Sequence, residues 1–324
     1  MVQFIREIYP VGQGGFTFEQ IGDYSVVYDC GSKGNLERVK QFIGDIQKYT
    51  DHVNRLYISH FDKDHVNGIK QLLEKVTVGK AIIPSIPREY RVVFNLITGG
   101  AYESLRSLFV NGDNTRLIEV DEKEDIKKED RWEWISRPMF NSTDWTNLSS
   151  SFAKASLDIP SLSDAQYVEK NKSLINDCFK DAFGSLGPNS KGLIMLSQMI
   201  TGTIVSNKLT SGMGEVSLSN ETAALFVGDA HVKGKRDVGT VQAFLGSHLK
   251  GNLLLAQIPH HGSQYNSGWN YDNDIKAKYY YYQHTSDEKL KKNTKLYGSL
   301  MKSKNLIDVR DIDSDLVRHT VEIG

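Results

Sequence analysis

Only two cysteines, Cys30 and Cys178, occur in this chain of 324 residues, and they form no C-x-x-C pair. That scarcity speaks against a disulfide framework and makes the reducing cytoplasm the expected compartment. Long apolar runs are missing too. No stretch approaches the roughly 20 apolar residues of a membrane-spanning helix, and the start, Met1-Val2-Gln3-Phe4, lacks the apolar core of a signal peptide. A soluble chain with no membrane partner is therefore expected. Nor is there an excess of charge of one sign: the formal net charge is −1, so nucleic acid could be recruited only by a local basic patch. No internal repeat is present, and histidine is absent from the whole interval between His65 and His231. The composition that remains, 39% hydrophobic and 24% charged, is that of a globular protein able to bury a core.

Against this ordinary background one stretch stands out: Ser59-His60-Phe61-Asp62-Lys63-Asp64-His65. It places four side chains able to hold a metal within six residues, directly after the apolar Leu56-Tyr57-Ile58. Residues 66–75 carry apolar side chains at Val66, Ile69, Leu72 and Leu73, a spacing that predicts a helix. The cluster is thus expected in a strand-to-helix loop, where α/β proteins commonly carry their chemistry.

Taken in order, the chain alternates strands and helices. Residues 4–9 and 16–21 read as a β-hairpin broken by Gly12-Gln13-Gly14-Gly15, and 24–28 as a third strand ending in Asp29. Asn35 can cap a helix reaching about Tyr49. Short strands are predicted at 81–84 and 115–120. Residues 121–189 read as an irregular insertion: a charge run at 122–131, a strand at 132–135 stopping by Pro138, a Ser/Thr/Asn-rich stretch at 142–163 and a helix at 164–183. Strands then resume at 192–197, 203–206, 222–227, 252–258 and 278–283, with helices at 237–249 and 289–304 and two short closing strands. One domain over 1–324, with that central insertion, is the expected organisation.

Four predicted strands end in polar residues: at Asp29, at the His60–His65 cluster, at Asp229 and at His260-His261. An α/β architecture gathers such ends on one edge, as a metal site built by tertiary folding requires. The order and wording of these segments resemble the metallo-β-lactamase-fold hydrolases, in particular the soluble hydrolase domain of ComEC-type competence proteins. The matching pieces are Val11-Gly12-Gln13-Gly14, Asp29-Cys30-Gly31, Ser59-His60-x-Asp62-x-Asp64-His65-x-x-Gly68, Gly228-Asp229 and Pro259-His260-His261-Gly262-Ser263.

The resemblance implies an α/β fold, an αββα sandwich with the site along one edge. It implies that Asp64, His65 and His261 ligate one metal, that Asp229 bridges to a second, that His60 serves the second position, and that Asp29 orients the cluster from behind. Here the chain departs from the family: Asp62 stands where a histidine is usual, and the separate histidine between the motifs is absent. The oxygen-rich second position shifts preference from Zn²⁺ towards Mn²⁺ or Mg²⁺, with one metal held tightly and the other weakly. The activity so implied is phosphodiester hydrolysis, of DNA or another nucleic acid, by a metal-activated hydroxide held by Asp64 or Asp229, with His260 donating to the leaving group. Lys233, Lys235, Arg236, Lys291 and Lys292 are the dense basic groups near site motifs and the candidate phosphate contacts. The fold also serves small esters, lactones and phosphodiesters, and a degenerate binding or regulatory member is the reading from another class.

Overall fold

The computed structural model describes residues 1–110, 115–183, 191–230, 232, 235–262, 275–284, 305–310 and 315–324. In chain order, β1 (Val2–Ile8), β2 (Gly14–Ile21) and β3 (Tyr24–Ser32) form a meander, followed by α1 (Leu36–Ile46) and β4 (His52–Tyr57). Then come α2 (Lys63–Val66), α3 (Ile69–Leu73), β5 (Thr77–Pro84), α4 (Arg91–Ile97), α5 (Ala101–Val110) and β6 (Arg116–Val120). A hairpin of β7 (Asp125–Glu129) and β8 (Trp132–Pro138) precedes α6 (Ser142–Lys154), α7 (Ala165–Lys170) and α8 (Lys172–Phe183). The rest comprises β9 (Leu193–Met199), β10 (Ile204–Ser211), β11 (Gly214–Ser217), β12 (Ala223–Phe226), α9 (Lys235–His248), β13 (Leu253–Gln257), β14 (Ala277–Gln283), β15 (Leu306–Val309) and β16 (Val317–Ile323).

The strands make two sheets. One runs β11-β10-β16-β1-β2-β3-β4-β5-β6 and the other β15-β14-β13-β12-β9-β8-β7. Within each, four neighbours are parallel, β3 to β6 and β12 to β15, so their carboxyl ends point the same way. Strands β12 and β13 are buried throughout, the continuous apolar pattern of a strand covered on both faces.

Three apolar layers cement the stack. Phe4, Tyr28 and Tyr57 of the first sheet meet Trp132, Trp134, Phe226 and Tyr281 of the second. Val39 and Phe42 of α1, with Phe152 of α6 and Phe179 of α8, cover the outer face of the first sheet. Val241 and Phe244 of α9 cover Leu196 and Leu225 on the second. This is the expected αββα sandwich.

A polar row crosses the apolar seam. Arg6 on β1 lies in register with Glu19 on β2 and His319 on β16. Its guanidinium pairs with Glu19 (2.5 Å), while Trp134 Nε1 and Ser197 Oγ from the opposite sheet also donate to that carboxylate. A buried pair stands only when so fully hydrogen-bonded.

Three stretches differ from the sequence reading. The single helix expected at 66–75 divides at Gly68, which is pressed onto β3: its N–H donates to the Cys30 carbonyl (2.9 Å), and an added Cβ would lie 2.5 Å from Val39 Cγ1. The first piece begins at Lys63, so Asp64 and His65 sit in the opening turn of α2 while His60 to Asp62 remain in the loop. Residues 121–183 are regular rather than irregular. Two of their strands join the second sheet, and the Ser/Thr/Asn-rich stretch forms α6, opened by a capping box between Asn141 and Asp144. The helix expected at 164–183 breaks at Asn171 into α7 and α8. The basic helix expected at 289–304 lies outside the described residues.

Candidate metal centre

The carboxyl ends of both parallel strand sets meet on one edge. The first sheet brings Asp29 on β3 and the loop after β4; the second brings Asp229 after β12 and His260-His261 after β13. The sheets are pinned there by Leu193 N–H on the Ser59 carbonyl (2.6 Å). Asp29, His60, His65, Asp229 and His261 are all buried.

Asp29 organises the first half. Its Oδ1 accepts the Ser59 N–H (2.7 Å), and its Oδ2 accepts both the Ser59 hydroxyl (2.7 Å) and His65 Nδ1–H (2.8 Å). Because the Ser59 hydrogen is spent on Asp29, its oxygen accepts from His60 Nδ1–H (2.8 Å). On the other side, His261 Nδ1–H donates to the Gln283 carbonyl at the end of β14 (2.9 Å), and Gln283 Nε2 donates to the Tyr9 carbonyl (2.8 Å). In all three histidines the hydrogen is held on Nδ1, leaving the Nε2 lone pair to face inward.

Those lone pairs converge on carboxylates. His65 Nε2 lies 3.3 Å and His261 Nε2 3.5 Å from Asp229 Oδ1, and His261 Nε2 is 3.4 Å from Asp64 Oδ2. His60 Nε2 lies 3.8 Å from Asp229 Oδ2 and 3.7 Å from Asp62 Oδ2. Two ligand groups result, His60-His65-Asp229 and Asp64-His65-His261, the atoms of each within 4.8 Å of one another. The buried Nε2 atoms of His60, His65 and His261 make no sound hydrogen bond among the described residues. Acceptors facing acceptors across a buried gap are stable only with a positive charge between them.

The electrostatics agree. Burial alone would lower the His65 pKa, but the Asp229 and Asp29 carboxylates raise it well above the usual value. Burial would raise Asp229, yet His261, His65 and His60 hold it well below the ordinary carboxylate range. Asp64 is likewise lowered against burial by His261 and His65. For His60, burial and His65 act downward and are overcome by Asp62 and Asp229, a net rise. The cavity therefore stabilises cationic charge among ionised carboxylates, and a set of imidazoles and carboxylates fits a divalent metal.

Backbone strain is concentrated here. Asp29 (φ 56°), His260 (φ 48°) and His261 (φ 51°) adopt the left-handed region, three of the five non-glycine residues that do so among the described residues. Gly15 packs so closely behind the cluster that a Cβ would lie 2.7 Å from His65 Nδ1 and 2.9 Å from Asp29 Oδ2. His260, 27% exposed at its side chain, turns its Nε2 to within 3.6 Å of Asp229 Oδ2.

The centre opens into a cleft of about 480 Å³ lined by Asp62, Asp64, Asp229 and His260 and also by Gln13, Ser32, Lys33 and Lys63. Gln13 donates to Asp64 Oδ2 (3.3 Å). Neither Lys235 nor Arg236 contributes to this wall. Arg236 turns to Asp144 (3.4 Å) and Asn141 (3.2 Å), and Lys233, Lys291 and Lys292 lie outside the described residues. Sequence reasoning gave no role to Ser59, Gln283, Lys33 or Lys63. The hydroxyl beside His60 was the available signal for Ser59; the others enter only through tertiary folding.

No protein-family model and no curated protein matches this sequence. Solved structures do. The chain is similar to the metallo-β-lactamase fold protein YhfI from Bacillus subtilis, with 10% identity, a TM-score of 0.44 and 98% and 99% of the two chains covered. It is similar to a diphosphatase of the PhnP family, with 8% identity, a TM-score of 0.44 and 100% and 98% covered. It is also similar to CmlA, a diiron β-hydroxylase from Streptomyces venezuelae, with 12% identity and a TM-score of 0.48; there 99% of this chain spans only 54% of the other. Among the described residues no helix is long and apolar enough to cross a membrane.

Proposed function

We propose that this chain is a metal-dependent hydrolase of phosphodiesters, with nucleic acid as its substrate. The observation that carries the metal-dependent part is the convergence of three Nε2 lone pairs and the Asp64 and Asp229 carboxylates on one buried gap. A divalent cation held there supplies Lewis acidity for a phosphoryl oxygen and a water acidic enough to ionise near neutral pH.

The chain's own groups do the rest. Asp64 and Asp229, kept ionised by the histidines around them, accept hydrogen bonds from the attacking water and fix its direction. His260 borders the cleft on the Asp229 side, where its imidazole can donate a proton to the leaving oxygen. Lys33 and Lys63, which line the same cleft, favour an anionic substrate over a lactone. Asp62, 39% exposed at its side chain, lies 3.7 Å from His60 Nε2 but outside both ligand groups; a carboxylate added from there to His60 and Asp229 would support Mn²⁺, weakly held, beside a tighter position at Asp64, His65, Asp229 and His261.

The test is a panel of single- and double-stranded DNA, a small activated phosphodiester and a lactone, offered after chelation and re-addition of Mn²⁺, Mg²⁺ or Zn²⁺. DNA and phosphodiester cleavage, highest with Mn²⁺, is expected. Turnover of the lactone alone would overturn the substrate, and metal binding with no turnover would favour a regulatory member.

A further inference from the structure

The catalytic cleft does not end at its lysine wall. Beyond it lies a second depression of about 310 Å³, and Lys63 and Asn67 border both. Its far wall is the turn Gly99-Gly100 and the start of α5, and Lys70 stands on the near side, on α3. The break at Gly68 makes this possible: by dividing the helix it sets Lys63 at the head of α2 and Lys70 on α3, both exposed above one continuous groove. Lys33, directly after β3, is exposed and lines the same cleft as Lys63, beside Ser32, which is hydrogen-bonded to Asn67 (3.0 and 2.8 Å).

None of the three ammonium groups has an ion-pair partner among the described residues, whereas Lys191, Lys208 and Lys278 are each paired with a carboxylate. Two adjoining depressions, of about 480 and 310 Å³, that bear these cations and start at the metal ligands exceed what a single phosphodiester fills. Val66, Leu105 and Leu108 give the second depression an apolar floor on which a base or sugar can rest.

We propose that Lys33, Lys63 and Lys70 form a phosphate track that seats a single nucleic-acid strand across the metal centre, with the strand continuing over Lys63 into the depression beside α5. This rests on the phosphodiesterase reading and replaces Lys235 and Arg236 as the phosphate contacts. It makes the enzyme one for chains rather than mononucleotides, since only a polyanion engages all three positions together.

The experiment reads binding, not turnover. A fluorescent oligothymidylate is titrated by anisotropy into the full chain at fixed Ca²⁺ and a series of KCl concentrations. A single strand loses about 0.7 of slope in log K against log salt per phosphate contact, so Lys33→Gln/Lys63→Gln/Lys70→Gln should lower the slope by about 2. The Lys→Arg triple should keep the wild-type slope, and Lys75→Gln/Lys154→Gln/Lys235→Gln, off the groove, should barely change it. Thermal melts exclude misfolding. Equal losses in both Gln triples, an unchanged slope in the groove triple, or no oligothymidylate binding by the wild type would each overturn the track. Hydrolysis of a small phosphodiester by the wild type, measured separately, tells failure of the track from failure of the hydrolase reading.

Discussion

Replacing Asp29 by Asn should disable both metal positions although Asp29 touches neither. Its φ of 56° is one that Asn tolerates, so the backbone is not expected to object. The change acts through hydrogens. With its carbonyl oxygen kept on the Ser59 N–H, an Asn turns an NH₂ group towards the Ser59 hydroxyl and His65 Nδ1, where a carboxylate oxygen now accepts from both. His65 can meet a donor only by giving up its Nδ1 hydrogen, which moves to Nε2 and blocks the ligating lone pair. Ser59 then accepts from Asn and spends its own hydrogen on His60 Nδ1, so His60 is forced into the same wrong tautomer. Loss of such an orienting partner costs about 10–100-fold in metal affinity, or about 1.4–2.8 kcal/mol. Competition against a chromogenic chelator with Mn²⁺ and Zn²⁺ measures it, beside a thermal melt in chelator to show that the fold survives. Ser59→Ala should affect only the His60 position. Wild-type affinity at both positions in Asp29→Asn would refute the relay.

Other expectations follow from the same geometry. Asp64→Asn combined with His65→Ala removes two donors of the tighter group, so metal content by atomic emission should fall to background while circular dichroism is unchanged; retained metal would remove the site as described. Asp62→His should shift the activating metal from Mn²⁺ towards Zn²⁺ by restoring an imidazole beside His60, and simple inactivation would show that the 3.7 Å separation there is not a ligand spacing. His319 accepts from Arg6 (3.1 Å) and donates to Asn207 (2.8 Å), and burial first, then Arg6, depresses its pKa well below the usual value. The unfolded chain therefore takes up a proton below about pH 6.5 that the folded chain refuses. Stability from this group is complete above that pH and lost as pH falls towards the folded pKa, by up to about 1.4 kcal/mol per unit. His319→Gln should flatten this acid limb in urea melts run in chelator; parallel curves for the two proteins would refute it.

Much of the site was legible because strands announce where they stop. Apolar and β-branched runs ending at Asp29, at Ser59-His60, at Gly228-Asp229 and at Pro259-His260 mark chain arriving at a sheet edge, and parallel pairing aligned those edges. Asn35 was readable as a cap, and it accepts from the Arg38 N–H. The break at Gly68 was not readable, since its cause is Val39 and Cys30, distant in sequence. For α6 a local signal existed: Asn141 and Asp144 form the box, and Leu148 and Phe152 repeat on one face, but the density of serine and threonine outweighed it. The lysine wall left no trace in the sequence. Lys33 and Lys63 lie in separate segments and share a cleft only after β3 and α2 pack together, whereas the basic run at 233–236 is the denser local signal, and its Arg236 is tied to Asp144.

The metal centre is built half from each sheet, with Asp64 and His65 on one side and Asp229 and His261 on the other. A cation bound there would act as a rivet through the open edge of the sandwich, joining two layers that otherwise meet through apolar contact, the Arg6–Glu19 row and the Leu193–Ser59 hydrogen bond. Its binding energy is then folding energy: at a hundredfold excess over Kd it adds about 2.7 kcal/mol, and at a thousandfold about 4.1. On that reading the supply of metal would set how long the folded chain lasts. Without it the Asp64 and Asp229 carboxylates would rest on His65 and His261 alone, and this edge is where the sheets would begin to part.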